Sequence, residues 1–275
     1  MTALLVPLDQ DRLAPLRRAV LEPGTLHPAP AAPLLAPDPA VLAAAAAETG
    51  VALAVLPRPL SPAEFCALGA ELGEPMVESA PAVQSRVTAG RILNLVTELP
   101  ATTDVDVQPF AAGSLLMHTE SSARPPAEQP RHLLFQCLAA AHAPADGQTV
   151  VVPADAVADR LGPERVELLG RLRYRGAAHS LARREGGRVV FSFRDPGTAP
   201  LALDHTGAEP AAEVTAAVDD LCAAVYQSAH ARSVPWRVGL LVLLDNHRVF
   251  HGRTRSTAVA TGRHLQRLRI TSRSR

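Results

Sequence analysis

From about residue 90 onward the apolar positions fall in short runs, rich in β-branched residues and bounded by Gly, Pro or Asp: 91–96, 114–120, 132–138, 148–152, 188–193, 237–244 and 264–271. Runs of that length with turn residues at their ends read as strands, and this many of them predict a barrel or sandwich. Two longer stretches interrupt the series, 154–172 and 212 to about 230, where apolar residues recur at three- and four-residue steps and predict helices. Upstream, 40–48 is an alanine-rich helical run stopped by Gly50, and 51–56 is an apolar strand stopped by Pro57. Ser61 and Glu64 form a capping-box pattern that opens a helix reaching Leu72. The first forty residues carry Pro28, Pro30, Pro33, Pro37 and Pro39, a density that regular helices and central strands do not accept. The expectation for 1–40 is therefore an irregular arm on the surface. No internal repeat is visible.

Composition narrows the function classes. A chain of 275 residues is within the range of one β-barrel or sandwich domain. Aromatic residues are 3% of the chain and the formal net charge is zero, so there is neither a stacking platform nor a global field for nucleic acid. All 27 basic residues are arginine, which removes lysine Schiff-base chemistry. Cys66, Cys137 and Cys222 are odd in number, scattered and without C-x-x-C spacing, the pattern of a reduced, cytoplasmic protein. The opening segment lacks a basic, long apolar signal, and the apolar strand 240–244 is far too short to span a bilayer, so neither secretion nor membrane insertion is expected.

The candidate chemistry lies in His118-Thr119-Glu120 and, much later, His251 in Val-Phe-His-Gly-Arg-Thr. Two imidazoles and one carboxylate are the ligand set of a non-haem iron(II) site with open positions. On an extended strand, positions i and i+2 share a face, so His118 and Glu120 can grip one ion while a second strand brings His251. A lone histidine beside a strand is more often structural; the pair with Glu120, a carboxylate that needs a partner if buried, shifts that balance. Arg263 follows His251 by twelve residues, close enough for a short connection to bring a guanidinium back beside the metal and hold a dicarboxylate in a bidentate grip. The same ligands can bind zinc with an open water position, as in a zinc-dependent hydrolase. That reading lacks H-E-x-x-H and leaves Arg263 without a role. A third reading is a catalytically inactive barrel that binds a metabolite or a carrier protein.

The segment 240–254, Leu-Leu-Val-Leu-Leu-Asp-Asn-His-Arg-Val-Phe-His-Gly-Arg-Thr, resembles the distal-histidine strand and turn of the iron(II)- and 2-oxoglutarate-dependent oxygenases related to taurine dioxygenase. The likeness continues through 263–270, and 116–120 resembles the H-x-E variant of the clavaminate synthase and amino-acid hydroxylase branch; together they span roughly 110–272. The resemblance implies a mainly β fold with flanking helices, in one domain over 1–275, with a double-stranded β-helix (jelly-roll) core over 90–272 and a lid insertion around 175–235. It implies that His118, Glu120 and His251 hold iron(II), that Arg263 grips the distal carboxylate of 2-oxoglutarate, and that O2 is the second cosubstrate. Thr149, in Asp-Gly-Gln-Thr-Val, matches a threonine that hydrogen-bonds the same cosubstrate, although a threonine is equally at home as a strand former. Arg267, four residues after Arg263 and on the same strand face, matches the arginine that receives the substrate carboxylate. Glu120 also borders the substrate, and Asp195 and Asp204 fall where relatives carry lid and substrate contacts, candidates to hold a basic group.

The chain departs from the branch after the H-x-E pair, reading Ser121-Ser122-Ala123-Arg124 where Asn or Met, Ala and an aromatic residue are common; Arg124 is thus a candidate contact for an acidic substrate group. Glu120 itself argues against halogenation, which needs a small residue in its place. Asn246 and Arg248 are read as turn supports. Arg269, Arg273 and Arg275 are read as a solvated basic tail. The implied reaction is hydroxylation of an unactivated C–H bond of an amino acid, free or held on a carrier protein, in specialised metabolism.

Overall fold

The computed structural model describes residues 2–29, 32–33, 36–256 and 262–273. The longer strands, in chain order, are β1 (Thr2–Val6), β2 (Val51–Val55), β3 (Ile92–Val96), β4 (Gly113–His118), β5 (His132–Ala139), β6 (Thr149–Pro153), β7 (Leu172–Tyr174), β8 (Ala182–Glu185), β9 (Arg188–Phe191), β10 (Leu201–His205), β11 (Arg232–Val234), β12 (Leu240–Asp245), β13 (Val249–Ser256) and β14 (His264–Thr271). The α-helices are α1 (Gln10–Leu21), α2 (Pro39–Thr49), α3 (Pro62–Leu72), α4 (Ala154–Leu169) and α5 (Ala211–Val225). The larger sheet runs β2-β12-β5-β14-β3 and the smaller one β11-β6-β13-β4, these strands all pairing antiparallel, with the short segment Ala32–Pro33 added parallel to β2 at the edge of the larger sheet. Packed face to face, they make the expected jelly roll.

The strand sequences show what covers each face. β12 reads Leu-Leu-Val-Leu-Leu without alternation because both its sides are buried. Leu241 and Leu243 pack with Leu42, Phe65 and Leu68 of α2 and α3, and Leu240, Val242 and Leu244 with Leu133, Phe135 and Trp236 between the sheets. The outer face of the smaller sheet, through Val150, Val152 and Phe250, packs on Leu13, Val157 and Leu221 of α1, α4 and α5. β14 alternates strictly. Leu268 and Ile270 enter the helical layer, while Arg263, Leu265, Arg267 and Arg269 face the space between the sheets.

Several local readings hold. α2 stops at Gly50, in the left-handed region at φ 84°. The α3 capping box is formed: Glu64 N donates to Ser61 Oγ at 3.3 Å and Ser61 N to Glu64 Oε2 at 2.7 Å. Others need correction. The first forty residues are not an irregular arm, since β1 pairs with β10, and α1, capped by the Asp9 carboxylate, buries Leu13, Val20 and Leu21. The prolines that suggested the arm all follow residue 27, so they say nothing about the regular elements before them; Pro30 lies outside the described residues. The stretch 175–235 is built into the outer layer through Leu181, Phe191, Leu203 and Leu221, and only Arg194 from it lines the cavity between the sheets.

Candidate active site

β4 and β13 run side by side with His118 and His251 as opposed partners, so both imidazoles project from one face, their ring centroids 4.2 Å apart. The strand ends at His118, and Glu120 joins the histidines through a turn rather than through the pleat. Glu120 N donates to Asn246 Oδ1 at 2.7 Å, Asn246 Nδ2 donates to Glu120 O at 3.2 Å, and Ser121 takes a left-handed φ of 58°. Asn246 is thereby the turn support expected of it. Glu120 Oε2 lies 3.8 Å from Nε2 of each histidine, and one donor atom from each of the three residues falls within 4.8 Å of the others.

The protonation states suit a cation. His118 Nδ1 is 2.8 Å from Leu116 O. A carbonyl only accepts, so Nδ1 carries a proton and Nε2 is the nitrogen turned toward Glu120. Burial, with His118 close by, lowers the His251 pKa to about 4, leaving it neutral at neutral pH. Burial works against the charge of Glu120, but Arg267 and the two imidazoles outweigh it and hold this carboxyl well below the usual carboxylate range. Two imidazoles and a carboxylate fit iron(II) as a three-ligand site.

The ligands border a cavity of about 200 Å³ between the sheets, walled on one side by the arginine face of β14. Arg263 is buried; its Nη1 donates to Gly147 O at 3.0 Å and its Nε has no partner. No carboxylate pairs with it among the described residues, and burial lowers its pKa to about 10, so it stays charged at neutral pH. Its neighbour Arg253 is committed to backbone carbonyls, Pro109 O at 2.8 Å and Ala111 O at 2.5 Å, with a pKa brought down to about 9 by burial and by Arg263. Thr149, on β6, opposes Arg253 in register and lines the same cavity.

A family profile described as taurine catabolism dioxygenase TauD, TfdA family, matches residues 14–269. The chain belongs to the TauD/TfdA dioxygenase family. Solved structures agree with this dioxygenase in fold. PvcB from Pseudomonas aeruginosa is 22% identical with a TM-score of 0.62 over 85% of this chain and 80% of that one. An asparagine oxygenase in complex with Fe(II), 3-hydroxyasparagine and succinate is 18% identical with a TM-score of 0.63 over 86% and 78%. The non-haem iron oxygenase OrfP, in complex with Fe and alpha-ketoglutaric acid, is 20% identical with a TM-score of 0.61 over 85% and 79%. No curated protein matches the chain by sequence.

The remaining candidate residues of this TauD/TfdA dioxygenase are placed unequally. Arg267 does face the cavity, but it holds two acids: Nη1 donates to Glu120 Oε1 at 3.0 Å and Nη2 to Glu78 Oε1 at 3.3 Å. Arg269 is no solvated tail; its Nε and Nη2 clasp Glu78 at 2.9 and 2.7 Å, because an odd position on β14 points inward. Arg273 donates to Ala70 O, and Arg275 lies outside the described residues. Arg124, 72% exposed at its side chain and 3.7 Å from Glu128, is outside the cavity. So is Asp195, whose buried carboxylate takes two bonds from Arg17 at 2.8 Å and one from the Tyr226 hydroxyl at 2.7 Å. Asp204 accepts from Gly176 N at 3.0 Å, likewise away from the cavity. Glu78 and Arg194 were missed. Each sits in a loop with no periodicity to mark which way it faces.

Proposed function

We propose that this chain uses iron(II), 2-oxoglutarate and O2 to hydroxylate a C–H bond of an amino acid or amino-acid-derived substrate, free or held on a carrier protein. The observation that carries the reading is Arg263, a buried guanidinium with no acid partner among the described residues, in the same cavity as His118, Glu120 and His251. A buried charge without a counter-ion is costly, and a carboxylate entering the cavity would relieve that cost. A zinc hydrolase would have no use for it.

Bound iron would supply the activation of O2, coupled to decarboxylation of the oxo acid. The chain supplies orientation. His118 and His251 offer Nε2 and Glu120 offers Oε2, while Arg267 holds Oε1 and keeps the carboxylate one-handed. Arg263 takes the distal carboxylate of 2-oxoglutarate, with the Thr149 hydroxyl beside it. Leu93, Leu95, Leu115 and Phe135 keep water away from the reacting carbon. Arg267 still has a buried Nε without a partner, a donor left for a substrate carboxylate. Support for an amino-acid substrate comes from neighbours of the same fold, one holding hydroxyasparagine and another, an OrfP variant, holding (3S)-hydroxy-L-arginine.

The test is anaerobic titration of the metal-free protein with iron(II) and then 2-oxoglutarate. The expected result is the weak visible charge-transfer band of a chelated oxo acid. Tight zinc binding without that band would favour the hydrolase, and no metal binding would favour an inactive barrel.

A further inference from the structure

Arg194 is the guanidinium that the chemistry above leaves unused. Just past β9 the chain runs antiparallel along the end of β4. Thr119 N donates to Phe193 O at 2.8 Å, Asp195 N donates to Met117 O at 3.0 Å, and Arg194 and His118 are bridge partners. Residues opposed across antiparallel backbone project to the same side, and their chain neighbours to the other. Arg194 therefore lines the cavity with His118, while Asp195 turns away into its pair with Arg17.

The charges around the cavity do not balance without a ligand. Arg267 and Arg269 share Glu78 and Glu120. Arg263 is set aside for the cosubstrate, and Arg253 is tied to backbone carbonyls. Arg194 makes one side-chain bond, to Gln108 Oε1 at 2.5 Å, and has no ion pair among the described residues. The acid best placed in sequence to hold a cationic substrate group, Asp195, is closed off, and the remaining cavity acid, Asp106, stands at the exposed rim.

We infer that the substrate carries a second anionic group, a carboxylate or similar oxyanion beyond the amino acid's own carboxylate, and that Arg194 receives it. The inference rests on the oxygenase reading above. A fixed planar fork of donors suits such a group, and a basic side chain there would meet a like charge.

The experiment adds dicarboxylic amino acids of rising length (L-aspartate, L-glutamate, L-2-aminoadipate), their amides, and L-arginine to the anaerobic iron(II) and 2-oxoglutarate complex. It reads the shift of the charge-transfer band and, in air, succinate formation. At least one dicarboxylic acid should shift the band and bind about tenfold or more tightly than its amide. R194Q should erase that preference, weakening the acid about 10- to 100-fold, and R194K should restore part of it. The band before any amino acid is added shows that each variant is folded. Amides or L-arginine binding as well as the acids, no shift with any dicarboxylic acid, or an R194Q variant that keeps the preference would each overturn the inference. Absence of the band with 2-oxoglutarate alone is a different failure, that of the oxygenase reading itself.

Discussion

Gly147 shows how closely single residues are fitted around Arg263, the proposed cosubstrate anchor. It sits at φ 61°, and a Cβ added there would lie 2.9 Å from Ser256 Oγ and 3.3 Å from Arg263 Nε. G147A should therefore strain the turn and push the guanidinium aside, raising the 2-oxoglutarate KM by roughly tenfold, with iron(II) affinity little changed. R263A, which deletes the guanidinium, should raise that KM by about 100-fold while the circular dichroism spectrum stays native. H251A should abolish iron-dependent succinate formation; activity near that of the parent would remove the site assignment. His118, Glu120, His251 and Arg263 were picked out in the sequence by a ligand set at workable spacing and by the likeness to the oxygenases, and the fold brings all four to one cavity. Arg194 was not, and Asp195 was chosen in its stead. Nothing in a loop sequence says which of two adjacent residues the next strand will turn inward; here backbone pairing with Met117 and Thr119 decides it.

At the level of elements, α1 is joined to the strand pair behind the candidate ligands His118 and His251 by a buried ion pair. Arg17 reaches from α1 to Asp195, whose side chain is fully inaccessible, and Tyr226 of the α5 end bridges Asp195 and Met117 N. R17M would leave that carboxylate with the tyrosine and backbone alone. The expected loss is about 3 kcal/mol in urea unfolding, with the 2-oxoglutarate KM unchanged because neither group touches the cavity. A stability within experimental error of the parent would show that the pair is dispensable. Elements with two or more independent signals were readable: α3 from its capping box, β12 from its unbroken apolar run, β14 over its whole length. α1 and β1 were hidden behind a proline count taken over too wide a window. β7, β10 and β11 are short strands of three to five residues whose pairing is settled by distant partners.

Across the whole molecule, buried histidines tie stability to pH on the acid side of neutrality. His132 and His247 are each lowered to about pKa 4 by burial, with Arg131 adding to it. An unfolded histidine titrates near 6.5, so between about pH 6.5 and 4 the unfolded chain binds more protons than the folded one. Stability from these groups is complete above 6.5 and is lost as the pH falls through that window. The urea midpoint of the metal-free protein should drop steadily from pH 6.5 to 4, and H132Q should flatten the slope; a midpoint independent of pH there would contradict the assignment. The layered architecture was foreseeable from strand count and apolar patterning, whereas the balance of charges inside the cavity emerges only when loops and strands distant in sequence converge. β14 then has a consequence for how this protein can diversify. Its odd positions continue the face begun by Arg263 and carry Arg267 and Arg269, while Leu268 and Ile270 at even positions pack in the layer with α3. Loss or gain of one residue between Arg263 and Arg269 would exchange the two sets, driving charge into the helical layer and Leu268 into the cavity. New specificities can therefore arise along this strand by substitution but not by a change of length.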